Sequence, residues 1–367
     1  MDEVVTIRVP QDRETPVTPL LRSGHAYRYA YTRSDDSRRM DDIGQDYLVI
    51  RESGTRFAFA LCDGVSQSFL GDLAATILAE ALVNWLWEVD FEAGDPGTLV
   101  RRCRSMLADL TSPATEQVMH TQLPADLPGM LRDVLEQKRR IGSESTFVAG
   151  VIGHDVSPAT FVWMGDSRLR IWLREKNAPV DFGDVFHTRE RWSTRKGSVG
   201  EIRSYSIPSD EIVRMVAYSD GLAWADQQLT VSLVDDGLEQ IIAESRSLPA
   251  SDDVSYLEYV RRQNATESAR DGALLHADTS SSRETEFGST GQRVAAIDEP
   301  AALDGGATTL VPADSKQASQ LIAGRVDNRV DVRNQRQGAV RARIGPRQLL
   351  FVVLLAIAVA VVVLAWL

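Results

Sequence analysis

The sequence predicts an α+β fold in which antiparallel sheets pack with helices that occupy separate stretches of the chain. Apolar runs of strand length follow one another in groups and do not alternate one by one with helical patterns. Helical periodicity is instead concentrated at residues 71–139 and 237–245. This grouping is typical of antiparallel sheets with segregated helices.

Each element has a signature in the sequence. Two strands at residues 46–51 and 56–62 flank a turn containing Gly54. Residues 71–89 predict a helix, because apolar side chains such as Leu73, Ile77 and Trp85 recur on one face. The other predicted helices are residues 98–110, 127–139 and 237–245. The remaining predicted strands are residues 146–152, 160–164, 169–173, 201–207, 213–218 and 254–260.

Composition excludes several classes of protein. Across 367 residues, 43% are hydrophobic and 25% are charged, which is typical of a globular protein. The net charge of -12 argues against general nucleic-acid binding, which requires a basic face. Cys62 and Cys103 provide neither a disulfide framework nor a zinc set, so both are predicted to be core thiols in a reducing compartment. The N-terminus lacks the apolar core of a signal peptide.

Residues 349–367 form an uncharged apolar run without proline, LLFVVLLAIAVAVVVLAWL. As a helix at ~1.5 Å per residue it would span roughly 28 Å, close to the ~30 Å hydrocarbon core of a bilayer. A buried core helix is the alternative, but nothing amphipathic relieves the run. Seven arginines lie between residues 325 and 347, and no basic residue follows the run. The positive-inside rule therefore predicts a membrane anchor at residues 346–367 with the preceding chain in the cytoplasm, where the arginines can contact anionic lipid headgroups.

Composition also divides the rest of the chain. Residues 264–345 are rich in small and polar residues and contain Phe287 as their only aromatic residue, which predicts a disordered linker. A folded domain is predicted at residues 23–263, after an N-terminal segment at residues 1–22.

Aspartates occur where predicted strands meet loops. Asp63, Asp166, Asp220 and Asp252 stand at such junctions, and Asp46 opens a strand. A single Asp-Gly dipeptide is more often a turn than a site. Asp63 and Asp220, however, directly follow runs as apolar as FAFALC and VRMVAY. Clustered carboxylates repel one another unless cations neutralise them, and hard oxygen ligands suit Mg²⁺ or Mn²⁺. The sequence therefore predicts a metal site at these strand ends.

Six ordered motifs carry a resemblance to a known family. They are GQDYLVI, CDGVSQSFLGDLAA, GSESTFVAGVI, MGDSRLRIW, YSDGLA and DDVSYL. Together they resemble the metal-dependent serine/threonine protein phosphatases of type 2C, particularly bacterial forms, and here with a C-terminal membrane anchor. The resemblance covers residues 44–260. It implies a central β-sandwich of two antiparallel sheets flanked by helices, with a dinuclear metal centre at one end.

The resemblance also implies roles for individual residues. Asp63 would bridge two Mn²⁺ or Mg²⁺ ions, and the Gly64 carbonyl would bind one of them. Asp220 and Asp252 would complete the ligands of the other ion, so that Asp63, Asp220 and Asp252 form the catalytic set. Asp166 would help to hold a third, weaker ion together with Asp220. Asp46 would act through water, and Gln45 and Asp253 would support it from outside the ligand set.

Two departures from the family pattern concern charge. Gln45 stands where the family usually has glutamate, so that position carries no charge here. The arginine with which many members grip the phosphate is replaced by DDIG, and Arg38 or Arg39 could reach the phosphate only with a shifted loop. The phosphate-binding residue is therefore unassigned. The histidine that some members have after Asp-Gly is Val65 here.

The function implied is hydrolysis of phosphoserine and phosphothreonine in proteins by a metal-activated water, at the cytoplasmic face of a membrane. Phosphorylated proteins are the expected partners, among them a membrane-associated serine/threonine kinase or its targets. The alternative is a catalytically silent adaptor that binds phosphoproteins on the same fold. Loss of a core aspartate is the usual mark of a silent copy, and all of them are present.

Overall fold

The computed structural model describes residues 3–89, 96–153, 158–249 and 251–262. The strands are β1 (Val5–Arg8), β2 (Thr15–Leu21), β3 (His25–Thr32), β4 (Tyr47–Glu52), β5 (Arg56–Gly64), β6 (Glu144–Gly153), β7 (Pro158–Met164), β8 (Arg168–Leu173), β9 (Arg191–Ser193), β10 (Gly197–Val199), β11 (Arg203–Pro208), β12 (Ile212–Tyr218) and β13 (Val254–Arg261). The α-helices are α1 (Asp35–Met40), α2 (Gly71–Glu88), α3 (Pro96–His120), α4 (Gly129–Ile141) and α5 (Asp235–Arg246).

The strands form two antiparallel sheets. The first sheet has the order β1-β4-β5-β6-β7-β11, and β9 pairs with both β6 and β10. The second sheet has the order β2-β3-β13-β12-β8. The α+β fold of two antiparallel sheets flanked by helices is therefore confirmed.

Large and small side chains alternate along β5, so its two faces pack differently. Phe57, Phe59 and Leu61 pack into the core between the two sheets. Ala58, Ala60 and Cys62 point to the opposite face, where they pack with α2 and α3. Large side chains thus fill the space between the sheets, whereas small ones let a helix approach the outer face. Cys62 is buried with a free thiol, as predicted.

The second sheet repeats this arrangement with α5. Met215 and Ala217 of β12 face the core between the sheets. Val216 and Tyr218 face outward and pack against α5 residues such as Ile241. Helices therefore cover the outer faces of both sheets.

The sandwich begins earlier than the sequence predicts. Residues 5–8 extend the first sheet beside β4, and residues 15–21 form the edge of the second sheet beside β3. The predicted domain boundary at residue 23 therefore falls inside the sandwich. These strands were missed because their burial is only partial, so their apolar pattern is weak.

Helix α3 is longer than the predicted residues 98–110, because it continues through Pro113 to His120. Proline inside a helix removes one backbone hydrogen bond and costs about 3 kcal/mol. Beyond it, Ala114 and Val118 are almost completely buried against neighbouring elements. Their burial offsets the local cost, which explains why the helix does not stop at the proline.

Within the described ranges, no helix has both the length and the apolar character needed to cross a bilayer. The predicted linker at residues 264–345 and the predicted membrane helix at residues 346–367 lie outside the described residues. Both stay predictions.

Candidate metal centre

The four strand-end aspartates lie at one end of the sandwich. Asp63 is the penultimate residue of β5, and Asp166 lies in the turn between β7 and β8. Asp220 begins a 3-10 turn directly after β12 and Ser219, and Asp252 immediately precedes Asp253 and β13. The first sheet thus supplies Asp63, and the second sheet supplies Asp220 and Asp252. Asp166 lies where the chain crosses from one sheet to the other.

Three of these aspartates converge in a cluster that we call the acid cluster, made of Asp63, Asp166 and Asp220. One carboxylate oxygen from each lies within 4.8 Å of the other two. Asp252 is outside this group of three, but its charge raises the pKa of Asp63. The convergence of residues far apart in the sequence supports a common task for them.

The electrostatics of this end of the sandwich favour a cation. Desolvation, followed by the charges of Asp46 and Asp220, raises the pKa of Asp63 well above its ordinary value. Desolvation and then Asp253 raise the pKa of Asp46 in the same way, although a hydrogen bond with Ser219 opposes the shift. Asp46 is 2% exposed, and its Oδ2 has no hydrogen-bond partner in the described part of the chain. Mutual repulsion of this kind is relieved when a cation is shared.

Asp253 ties the loop before β4 to the start of β13. Its Oδ1 accepts a hydrogen bond from the Ser34 amide at 2.6 Å, and its Oδ2 accepts one from the Gln45 amide at 2.5 Å. The Asp253 amide in turn donates to Asp252 Oδ1 at 3.0 Å. Asp253 therefore links the backbone at Ser34 and Gln45 to Asp252.

Gly64 allows a close approach of two backbones next to the acid cluster. A Cβ atom placed on Gly64 would lie 2.3 Å from the Gly71 carbonyl carbon and 2.4 Å from its oxygen. The Gly64 amide donates to the Gln45 carbonyl at 3.2 Å. The start of α2 is thus packed directly against the end of β5, and the Gly64 position is expected to supply a backbone oxygen to the site.

The arginines near this end are engaged by acids. Arg33, at 8% exposed, donates to Glu14 Oε1 at 3.0 Å and to the Asp42 carbonyl at 2.8 Å. Arg38 also pairs with Glu14, at 3.4 Å. Arg39 pairs with Asp35 within α1. Neither Arg38 nor Arg39 is brought to the acid cluster by any contact in the described residues, so the phosphate-binding residue stays unassigned.

The structure adds one cation near the site that no sequence pattern indicates, Lys138. Lys138 of α4 donates from Nζ to the Ser66 carbonyl at 3.2 Å, two residues beyond Gly64. Desolvation lowers the pKa of Lys138. No local signal identified it, because α4 is separated from Ser66 by more than seventy residues.

The buried carboxyl of Asp42, in the loop before β4, should make the stability of the protein depend on pH. Asp42 is 4% exposed, and its Oδ2 has no hydrogen-bond partner within the described ranges. Burial, followed by repulsion from Asp41 and Asp72, raises the pKa of Asp42 to about 7. The folded state therefore retains a proton that the unfolded state releases near pH ~4, so stability falls as pH rises from about 4 to about 7.

We expect Asp42→Asn to remove this loss of stability. The variant should match the parent near pH 4.5 and exceed it above pH 7.5 by on the order of 2 kcal/mol. Thermal unfolding across this pH range measures the difference. Asp133→Asn is the matched control, because Asp133 is exposed on α4 and its charge is not one of those that raise the pKa of Asp42. A constant difference between Asp42→Asn and the parent at all pH values would contradict the assignment.

The donor set fits hard divalent cations. Asp63, Asp166 and Asp220 offer carboxylate oxygens, which are ligands that Mg²⁺ and Mn²⁺ prefer. Asp252 lies close enough to interact with both Asp63 and Asp46. The structure therefore brings the predicted aspartates to one end of the sandwich, where Asp166 lies in the same group of three as Asp63 and Asp220.

Several solved structures are similar to this chain. Serine/threonine phosphatase Stp1 from Staphylococcus aureus is 11% identical with a TM-score of 0.44, covering 69% of this chain and 99% of that chain. Serine-threonine phosphatase 2C from Toxoplasma gondii is 14% identical with a TM-score of 0.42, covering 70% and 99%. The serine/threonine phosphatase PstP from Mycobacterium tuberculosis is 13% identical with a TM-score of 0.41, covering 72% and 100%. No protein-family model and no curated protein matches the sequence.

Proposed function

We propose that this protein is a metal-dependent phosphatase of phosphoserine and phosphothreonine in proteins. The observation that supports it most strongly is the convergence of Asp63, Asp166 and Asp220, from motifs spread along the chain, to within 4.8 Å. The order of the six motifs agrees with the same reaction. All the aspartates that the reaction requires are present.

Each residue has a task in this proposal. Asp63 would hold both ions, the Gly64 carbonyl would bind one of them, and Asp220 and Asp252 would hold the other. Asp166 would bind a weaker third ion. When bound, the divalent cations lower the pKa of water and neutralise the phosphate oxygens.

Two supporting residues would hold this arrangement in place. Asp253 would hold the Asp252 loop in place through the Ser34 and Gln45 amides. Asp46 would orient water through its buried carboxylate, which the Ser219 hydroxyl steadies.

The test is hydrolysis of a phosphothreonine peptide by the full chain in detergent, with Mn²⁺ and with excess chelator. We expect release of phosphate with Mn²⁺, its loss with chelator, and its return when Mn²⁺ is restored. Turnover that chelator does not change would contradict the proposal. Tight binding of the peptide without turnover would favour the silent adaptor, the second candidate, which the pairing of Arg33, Arg38 and Arg39 with acids makes worth testing.

We also propose that residues 346–367 anchor the enzyme to the cytoplasmic face of a membrane, with the linker at residues 264–345 as a flexible tether. An ~80-residue coil would give an end-to-end distance of roughly 50 Å. Confinement raises the effective concentration of the enzyme toward substrates held at the membrane, such as a kinase or its targets.

Truncation after Gln348 tests the anchor. We expect the shortened protein to leave the membrane fraction, to retain its rate on a peptide, and to dephosphorylate membrane-associated substrates more slowly in cells. Fractionation of cells that express either form measures the first effect. A truncated protein that stays with the membrane would contradict the proposal.

A further inference from the structure

An open cavity of about 520 Å³ lies between α1 and the end of α5. Arg38, Arg39 and Arg246 contribute three guanidinium groups to its lining, and Asp35 and Asp36 contribute two carboxylates. This volume is within the ~300–1,000 Å³ range that is typical of ligand sites. We call it the arginine cavity.

The arginine cavity adjoins the candidate metal centre through one loop. Ser251 lines the cavity and immediately precedes Asp252, a proposed metal ligand. The Ser251 hydroxyl accepts a hydrogen bond from the Asp35 amide at 3.0 Å, and the neighbouring Ser34 amide donates to Asp253. A ligand in the cavity would therefore lie beside the backbone that carries Asp252.

The charges around the cavity leave one guanidinium without a carboxylate. Arg39 pairs with Asp35, and Arg38 pairs with Glu14. The Arg246 side chain has no ion pair within the described part of the chain, and its Nε atom is buried without a hydrogen-bond partner there. Because Arg246 lines the cavity and has no carboxylate partner, its guanidinium can pair with an anionic group bound there.

A purely structural role for Arg246 explains less of the geometry. Arg246 lies in the last turn of α5, where a positive charge complements the helix dipole. The end of α5, however, is already bonded by the amides of Ser247 and Leu248. The dipole also does not account for a buried Nε that faces no acceptor.

We propose that the arginine cavity binds an anionic group of the substrate protein, a few residues from the phosphorylated residue that is hydrolysed. Arg246 is its main contact, and Arg38 and Arg39 complete the positive wall. A carboxylate or a second phosphate has the required chemistry, since both accept paired hydrogen bonds from a guanidinium. This inference rests on the proposed function and adds a preference for acidic or multiply phosphorylated segments.

The charge of each lining residue predicts whether its substitution weakens or strengthens the binding of an anion. Three arginines and two aspartates leave a net charge of +1 on these residues. Removing a positive charge at Arg246 or Arg39 should weaken the binding of an anion. Removing the negative charge at Asp36 should strengthen it.

The experiment compares three phosphothreonine peptides with the full chain in detergent and Mn²⁺. One peptide has alanine flanks, one has glutamate flanks, and one carries a second phosphoserine. For Arg246→Gln we expect KM to rise roughly 5–20-fold for the two anionic peptides, with kcat and the alanine peptide nearly unchanged. The glutamate and phosphoserine arms decide which anion is preferred.

Two further variants test the same cavity with opposite changes of charge. Arg39→Gln, on an exposed side chain, should act in the same direction as Arg246→Gln, and Asp36→Asn should lower KM for the anionic peptides. Arg174→Gln is the matched control. Arg174 is exposed and follows the end of β8 that is away from Asp166 and the candidate metal centre. Fluorescence anisotropy of the same peptides on an Asp63→Asn background measures binding without turnover.

The outcomes separate this inference from the proposed function. Absence of hydrolysis of every peptide by the parent protein would refute the phosphatase, while the anisotropy series would still test the cavity. Equal effects of Arg246→Gln on all three peptides, or no effect on any, would overturn the cavity proposal alone. Tighter binding after Arg246→Gln and weaker binding after Asp36→Asn would also overturn it, because the cavity would then select a cationic group.

Discussion

Asp63→Asn is expected to lower the turnover of a phosphothreonine peptide by roughly a thousandfold or more, while the protein stays folded. Asp63 is the member of the site on which the other acids converge. Asp46, Asp220, Asp252 and Asp166 all raise its pKa through their charges. The amide has nearly the same shape but lacks the charge that a shared cation requires, so both tightly bound ions should be weakened at once.

The measurement is steady-state hydrolysis together with calorimetric titration of Mn²⁺. Asp236→Asn is the matched control, because Asp236 also precedes a glycine but is exposed at the start of α5. We expect the control to retain its rate and its metal stoichiometry. In the absence of ions, Asp63→Asn should also be slightly more stable than the parent, since it removes one of the repelling carboxylates. Near-normal turnover by a folded Asp63→Asn protein would exclude Asp63 from the centre.

Gly64→Ala is expected to destabilise the protein by about 3 kcal/mol or more, and to abolish activity in any fraction that folds. The new Cβ would meet the Gly71 carbonyl group at 2.3–2.4 Å. That neighbour is backbone at the start of α2, so it cannot rotate away as a side chain would. Relief of the clash requires α2 and the end of β5 to separate, which moves Asp63 from the acid cluster.

Urea unfolding measures this effect. Gly71→Ala should also destabilise the protein, because its Cβ would lie 2.8 Å from the Gly64 carbonyl carbon. Gly129→Ala is the control, since nothing lies within 4 Å of a Cβ at that position. We expect the control to be neutral or slightly stabilising, given the higher helix propensity of alanine. Equal unfolding midpoints for Gly64→Ala and Gly129→Ala would show that the contact is not required.

Local patterns in the sequence determined the elements of this fold. The uninterrupted apolar run FAFALC identifies β5, because side chains in a strand point to opposite faces and only a strand buried on both faces has apolar residues on both. The position of Asp63 and Asp220 directly after such runs marked both as residues with a special task. That inference needed no knowledge of which strands pair, because desolvation of a carboxylate is costly wherever the strand ends.

The sequence was less informative about the edges of the sandwich. Residues 5–8 and 15–21 carry little apolar signal, because each has partly exposed residues on both faces. Their place in the sheets depends on hydrogen bonds to β4 and β3, and backbone hydrogen bonding is almost independent of side-chain identity. Helix α1 is only six residues long, too short for its periodicity to be recognised.

Only the tertiary structure decided how the charges are shared. The hydrogen bond from Ser34 to Asp253 joins residues 219 positions apart, and Arg33 is neutralised by Glu14 across β2 and β3. Such pairings depend on distances of a few ångströms between segments whose separation along the chain is unrelated to their separation in space. The sequence therefore determined which residues can bind a divalent cation, since ligand chemistry belongs to the side chain. The folded chain determined which acids meet and which arginines are paired with carboxylates, because Coulomb energies depend on position.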